Sequence, residues 1–285
     1  MTMPSATMPS ATMPSATIEG IGFWTRGLPS WQAACDYAAD GTLPIDAPAR
    51  PSPQLLAPNE RRRAPETVAV ALEVALAACH AAGRAPSSLP SVFASMHGDL
   101  AITDYMCATL ATQADGISPT RFHNSVHNAA AGYWTIGAGA VHAATAISAF
   151  DATFAQGLLE ALMLLAAGEE AVLLVGYDGA STGPLAQVSR SDSLLGAALV
   201  LSRAPRRDRP RLTLSLEDGE PDAATGALAR YARANASAPM LPLLDALATG
   251  GAGAALKAGP GRVLRVRLEP AVESAVPLAL EPAHA

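Results

Sequence analysis

His123 and His127 stand four residues apart in the stretch His-Asn-Ser-Val-His. On a helix that spacing puts both imidazoles on one face, the arrangement by which zinc hydrolases grip their metal. The glutamate such enzymes carry beside the first histidine is absent here. No third ligand is evident, and a zinc site needs three or four. The pair therefore reads as core or interface histidines, and no metal is expected. Asp151 is the other side chain with chemical potential. It opens a long apolar stretch, where a carboxylate suits a helix N-cap. It could also act as a catalytic carboxylate, although no acid or base partner is visible beside it. Cys35, Cys79 and Cys107 are odd in number and form no C-x-x-C pair, so reduced thiols are expected. Cys107 falls mid-helix and reads as a small buried thiol. Arg61-Arg62-Arg63 could meet an acidic partner or a phosphate, but the favoured reading is a solvated helix entrance. Gly137-Ala138-Gly139 lacks the third glycine of a nucleotide fingerprint and does not follow a strand. Tyr133 and Trp134 read as core.

These side chains need elements to hold them. Residues 3–17 are three copies of Met-Pro-Ser-Ala-Thr. Proline at every fifth position blocks a helix, so residues 1–17 read as a disordered tail. A first strand is expected from Ile18, then a short helix around Trp31–Ala39 and a Pro-rich loop over 42–58. A helix is predicted from Pro65 to Ala82, closed by Gly83. Ser91–Met96 reads as a strand and Asp99–Gln113 as a helix capped by Asp99. Ala129–Ala138 reads as a helix, Ala143–Ser148 as a strand, and Ala171–Val175 as a covered strand. Ala152–Ala167 is apolar on every side, which predicts a buried helix. This alternation implies an α/β layered domain with a mostly parallel sheet. Beyond Asp178 the pattern weakens. Residues 194–202, 211–217 and 263–268 read as strands, and 223–248 as mostly helical. They are expected to complete or flank the same sheet.

The 285 residues are half hydrophobic, enough for a sizeable core, and the net charge is -6. An acidic balance argues against nucleic acid, whose partners carry a basic footprint. The longest apolar run, Gly157 to Gly168, contains Glu160 and reads as too short for a bilayer. The N-terminus has neither the charged nor the apolar region of a signal peptide. No membrane association is expected, and the setting read from the sequence is cytoplasmic.

Asn128, Ala131 and Gly132 on one helix, Ala149-Phe150-Asp151 after a strand, then Gly168 and Val172 follow one another in a register without gaps. That register resembles the active half of β-ketoacyl-ACP synthases. There, an Asn-x-x-Ala-Gly helix precedes a strand, a Thr-Ala-Cys turn, a long buried helix and a second strand. IGFWTRGLPSW and SRSDSLLGAALVLSR resemble elements of the same proteins. The resemblance covers roughly residues 18–203, and implies a thiolase-like layered α/β fold with a mostly complete first half. Residues 204–285 would be a shortened second half.

At the nucleophile the resemblance turns negative, because Asp151 falls where the family carries cysteine. A cysteine thiolate holds the growing chain as a thioester. An aspartate could form only a mixed anhydride, which water would destroy. The family's two catalytic histidines have no counterpart, since only His284 follows His142. Lys257, the single lysine, lacks the family's Lys-Ser-x-x-Gly-His context. Shortened, inactive subunits of this kind resemble the chain-length-factor proteins of aryl polyene (xanthomonadin-like) clusters. The resemblance implies a heterodimer with an active ketosynthase and contact with an acyl carrier protein. No cofactor of its own is expected, because acyl chains would arrive on the carrier's phosphopantetheine. The thiolase dimer joins sheets edge to edge through the strand before the nucleophile turn, here Ala143–Ser148, which carries Thr145 and Ile147. Segments 99–112 and 118–128 would cap the partner's acyl tunnel. That makes Tyr105, Met106, Thr109, Thr120, Phe122, His123 and Asn128 candidate tunnel or interface residues. A bulky side chain there would limit product length by excluded volume. Two other readings stand beside this one. One is an autonomous acyl-transfer or hydrolytic enzyme using Asp151 or the His123/His127 pair. The other is a scaffold that binds carrier protein without shaping the product.

Overall fold

The computed structural model describes residues 15–271. Chain order along the strands is β1 (Ala16–Thr25), β2 (Ser91–Ala94), β3 (Ala144–Ile147), β4 (Ala171–Asp178), β5 (Leu195–Ser202), β6 (Arg211–Asp218), β7 (Gly253–Gly259) and β8 (Arg262–Glu269). The helices are α1 (Trp31–Asp40), α2 (Pro58–Arg63), α3 (Glu66–Ala82), α4 (Leu100–Thr112), α5 (Pro119–His123), α6 (Ala129–Ala138), α7 (Thr153–Ala167), α8 (Ala227–Tyr231) and α9 (Leu241–Thr249). The eight strands form one sheet in the order β3-β2-β4-β5-β1-β6-β8-β7.

Period-two alternation divides each central strand between two cores. Leu173, Val175 and Tyr177 of β4 face α3 and α6, packing with Val70, Leu72, Phe93 and Trp134. Val172 and Leu174 face the other way, into a cluster with Leu158, Leu162, Leu241 and Leu244 of α7 and α9. Helices on both faces of a sheet make three layers, which is why β4 and β5 are buried along their whole length. Contact between α3 and β1 is unusually close. A side chain on Gly20 or Gly22 would strike the Ala78 or Val74 carbonyl of α3.

The layered α/β reading holds, but the sheet is mixed and not mostly parallel. Only the β2–β3 and β2–β4 pairs are parallel; β4–β5, β1–β5, β1–β6, β6–β8 and β7–β8 are antiparallel. Apolar patterning reports burial on both faces, which a covered antiparallel strand shares with a parallel one. The strand β7 was not anticipated. Its sequence Gly-Ala-Ala-Leu-Lys-Ala-Gly is short of β-branched and aromatic residues, and its pairing with β8 supplies what propensity does not. The region 223–248 divides into two short helices and a 3-10 turn; α2 covers the stretch read as a helix entrance, and α5 lies in the segment read as a tunnel cap. Ala16 and Thr17, read as tail, pair with Leu212 and Arg211 in β1; residues 1–14 of that tail and His284 lie outside the described residues.

Helix α7 is buried on one side only, through Phe154, Leu158, Leu162 and Leu165, while Met163 is exposed. With the turn before it, Phe150–Ala167 is 18 residues long with a mean hydropathy of 1.3, long and apolar enough to cross a bilayer. The shorter run read from the sequence understated that length. Half of the stretch is buried within the fold, packed on the sheet.

Candidate functional site

Three segments converge where β3 turns into α7. The turn itself is closed by two backbone bonds, Ala152 N–H to Ala149 O and Thr153 N–H to Phe150 O, each 3.0 Å. The Thr153 hydroxyl adds two more, accepting from Ala149 N–H and donating to Phe150 O. Within this turn Phe150 has φ of 51°, and no other non-glycine residue among those described has a positive φ. A left-handed backbone at a residue with a side chain costs about 1 kcal/mol or more. Such strain persists only where surrounding bonds fix it.

Asp151 follows. It does not cap α7: the N-cap residue is Ala152, without a side-chain cap bond. The Asp151 carboxylate points instead to Lys257, at 2.6 Å from its Nζ. Lys257 lies on β7, and β7 is brought to the start of α7 by a bond from Gln156 Nε2 to Ala258 O of 2.6 Å. Its hydrogen bond to Asp151 holds the Lys257 ammonium above its ordinary range. An amine held protonated in this way cannot serve as a base at neutral pH.

Both residues line a cavity of about 540 Å³, with Met96, Ser189, Arg190, Arg233 and Asn235 among its walls. Asp178, the fully buried last residue of β4, holds two of those walls together. Its Oδ1 accepts from Ser95 Oγ at 2.7 Å and His97 N–H at 3.0 Å. Its Oδ2 accepts from Met96 N–H at 3.0 Å and Ser237 Oγ at 2.6 Å. The loop after β2 and the segment 235–238 are thereby tied to one carboxylate. His97, which the sequence reading passed over, places Nε2 2.6 Å from Ser189 Oγ. Its Nδ1 is buried without a partner, so no acceptor orients the ring as a general base would require.

The tunnel candidates do not form one wall within the subunit. Thr120 lines a cleft of about 680 Å³ between α3, α4 and α5. Phe122, His123 and Asn128 line a separate hollow of about 550 Å³ beside α6. Thr145 and Ile147 lie on the edge strand β3. Tyr105 is a brace: its hydroxyl accepts from Ser118 N–H at 3.1 Å, and the Arg121 guanidinium lies 4.0 Å from its ring centre. Met106 is half-buried, and the Thr109 hydroxyl donates back to Tyr105 O. His123 packs its exposed ring edge-on to Tyr133, and His127 meets Ser95 O at 2.8 Å. Among the described residues no group of three His, Cys, Asp or Glu gathers for a metal. Trp134 is core, whereas Tyr133 is half-buried at the hollow beside α6. Cys107 is exposed, contrary to the buried thiol expected. The reason is that α4 buries only Leu100 of its thirteen residues. Its apolar sequence reads as a covered helix, but among the described residues α4 is only partly covered, with Ile102 to Met106 half-buried and Cys107 and Leu110 exposed.

Residues 31–259 match the family described as beta-ketoacyl synthase, N-terminal domain. The chain belongs to this β-ketoacyl synthase family. The match runs past residue 203 and takes in β6 and β7. Among solved structures, this β-ketoacyl synthase-like chain is similar to one in the complex of the ketosynthase ApeO with its chain length factor ApeC from Xenorhabdus doucetiae. The identity is 23% and the TM-score 0.68, over 89% of this chain and 99% of that one. It is similar also to a chain of AntDE:AntF, a type II polyketide synthase acyl-carrier protein with its ketosynthase bound to the hexaketide. There the identity is 14% and the TM-score 0.68, over 91% and 100% of the two chains. The ishigamide ketosynthase/chain length factor gives 14% and 0.58, over 84% and 75%. At these identities the likeness establishes the shared thiolase-like fold. A comparison with curated proteins finds no match.

Proposed function

We propose that this protein is a non-catalytic, chain-length-factor-like subunit that pairs with an active β-ketoacyl-ACP synthase. The pair would perform iterative condensation in a type II pathway of the aryl polyene kind, in the cytoplasm. The observation that carries the reading is Asp151. It lies in the turn between an edge strand and a long core helix, the place that the sequence resemblance gives to the family's nucleophile, and its carboxylate is engaged by Lys257 at 2.6 Å. An aspartate has no thiol to carry an acyl chain as a thioester.

The unpartnered surface supports a heterodimer. β3 bonds to β2 on one side only and leaves its other edge open, and open edges template strand pairing. α4 fully buries only Leu100 among the described residues and leaves Cys107 and Leu110 exposed. The solved complexes named above, in which a ketosynthase is held with its chain length factor, are consistent with a ketosynthase as the occupant. The partner would supply the cysteine and both histidines. Acyl chains would reach the pair on a carrier protein's phosphopantetheine arm.

Co-expression with the ketosynthase of its gene neighbourhood tests the reading. A stoichiometric complex that elongates malonyl-ACP, with Asp151→Ala as active as wild type, is the expected outcome. Turnover by the isolated chain that Asp151→Ala abolishes would contradict it.

A further inference from the structure

We propose that Phe150 is a pre-set anchor whose ring enters an apolar pocket of the partner ketosynthase across the open β3 edge. The inference rests on the partner reading above and adds the residue on which docking turns.

Phe150 is 81% exposed and Phe122 61% exposed, whereas Phe23, Phe93 and Phe154 are buried. Single exposed apolar side chains are common on protein surfaces, so exposure alone does not mark the residue. Phe150 is also held out on a left-handed backbone, the conformation that non-glycine residues avoid. The turn is not loose. Both the Thr153 amide and its hydroxyl bind Phe150 O, and Ala149 is tied at both its N–H and its carbonyl. On either side, Ser148 Oγ bonds to Met96 O at 3.0 Å and Asp151 is pinned by Lys257. A ring presented in this way loses little freedom on binding, which is what an anchor requires. Buried aromatic anchors supply much of the energy of protein interfaces.

The surroundings identify the occupant. Phe150 lies three residues past β3, whose free edge calls for a strand from another chain. Before β3, Val141 in the connecting segment is 94% exposed and Ile136 near the end of α6 is 82% exposed. A partner that adds a strand to β3 pairs beside the turn that carries Phe150. A subunit of the same layered fold carries the equivalent edge. The active ketosynthase is the copy to which the proposed function already commits this chain.

The test uses Phe150→Asn and Phe150→Gly, because both residues accept a positive φ and leave the turn intact. Circular dichroism and thermal melting first establish that each variant folds as wild type. Affinity for the ketosynthase is then measured by titration calorimetry, and self-association by sedimentation. Both variants should bind the ketosynthase roughly 10- to 100-fold more weakly than wild type, and Phe150→Leu should fall between. Equal affinity for wild type and both folded variants overturns the anchor while leaving the partner reading intact. A wild-type chain that ignores the ketosynthase but forms a homodimer, lost in Phe150→Asn, overturns the assigned partner. A wild-type chain that binds neither overturns both.

Discussion

Asp178→Asn is a one-atom change with a calculable cost. The Asp178 carboxylate receives four donors, two at each oxygen: Ser95 Oγ and His97 N–H at Oδ1, Met96 N–H and Ser237 Oγ at Oδ2. An asparagine keeps the shape but turns one oxygen into an amide nitrogen, itself a donor. The two hydroxyls can rotate and become acceptors. The two backbone N–H groups cannot, and they sit on different oxygens. Whichever way the amide turns, one of them faces another donor. Loss of one hydrogen bond to a charged acceptor, with a buried donor left unpaired, costs about 2–3 kcal/mol. Asp178→Ala orphans all four donors, and at about 1–1.5 kcal/mol each the loss reaches about 4–6 kcal/mol. Either value is a large share of the roughly 5–15 kcal/mol that holds a domain together. Equilibrium urea unfolding reads it as a lower midpoint with an unchanged slope. A loss under about 0.5 kcal/mol for Asp178→Asn would refute the reasoning, since the four donors would then be finding water with ease.

The remaining predictions concern the Arg84 clamp, the thiols and the α4 brace. Arg84 grips the buried Glu19 carboxylate with Nε and Nη2, at 2.5 and 3.0 Å. Burial raises the Glu19 pKa, but hydrogen bonds from Arg84 and Ser202 and the charges of Arg84 and Arg206 together outweigh it, and the carboxyl lies below its ordinary value of 4.5. A depressed carboxyl contributes fully above its unfolded value and loses that contribution as pH falls through the folded one. Wild-type stability should therefore drop as pH falls below about 4.5, and Glu19→Gln should flatten that drop in pH-series melts. Arg84→Met, which leaves Glu19 buried and unpaired, should cost about 3 kcal/mol at pH 7. Burial pushes the Cys79 thiol up to about 12, while Cys107 is exposed. A thiol reagent should thus label Cys107 rapidly and Cys79 only on unfolding, and ketosynthase binding over α4 should slow labelling of Cys107. Tyr105→Phe removes the acceptor for Ser118 N–H; it should cost about 1 kcal/mol and speed amide exchange at Ser118.

Local signals were readable where the cause is local. Asp99 caps α4 by accepting from Ile102 N–H, and Gly83 and Gly139 end their helices with the left-handed backbone that glycine permits. The sequence singled out Asp151 but could not show it as the partner of Lys257, because 106 residues separate them. The Asp178 donors come from residues about sixty and eighty positions away, and strand direction leaves no mark in apolar patterning. Cys107 was misjudged for a different reason. An apolar sequence along α4 implied burial, whereas only Leu100 of the helix is fully buried among the described residues. The turn at Phe150 was hidden because nothing in Ala-Phe-Asp signals a left-handed residue; the Thr153 hydroxyl imposes it.

The most direct measurement is malonyl-ACP elongation by the co-purified pair, with wild type and Asp151→Ala compared side by side and each subunit also assayed alone. The account predicts a stoichiometric complex, activity from the pair only, and no loss on Asp151→Ala. Acyl turnover by this chain alone, abolished by Asp151→Ala, would contradict it and make Asp151 a catalytic residue.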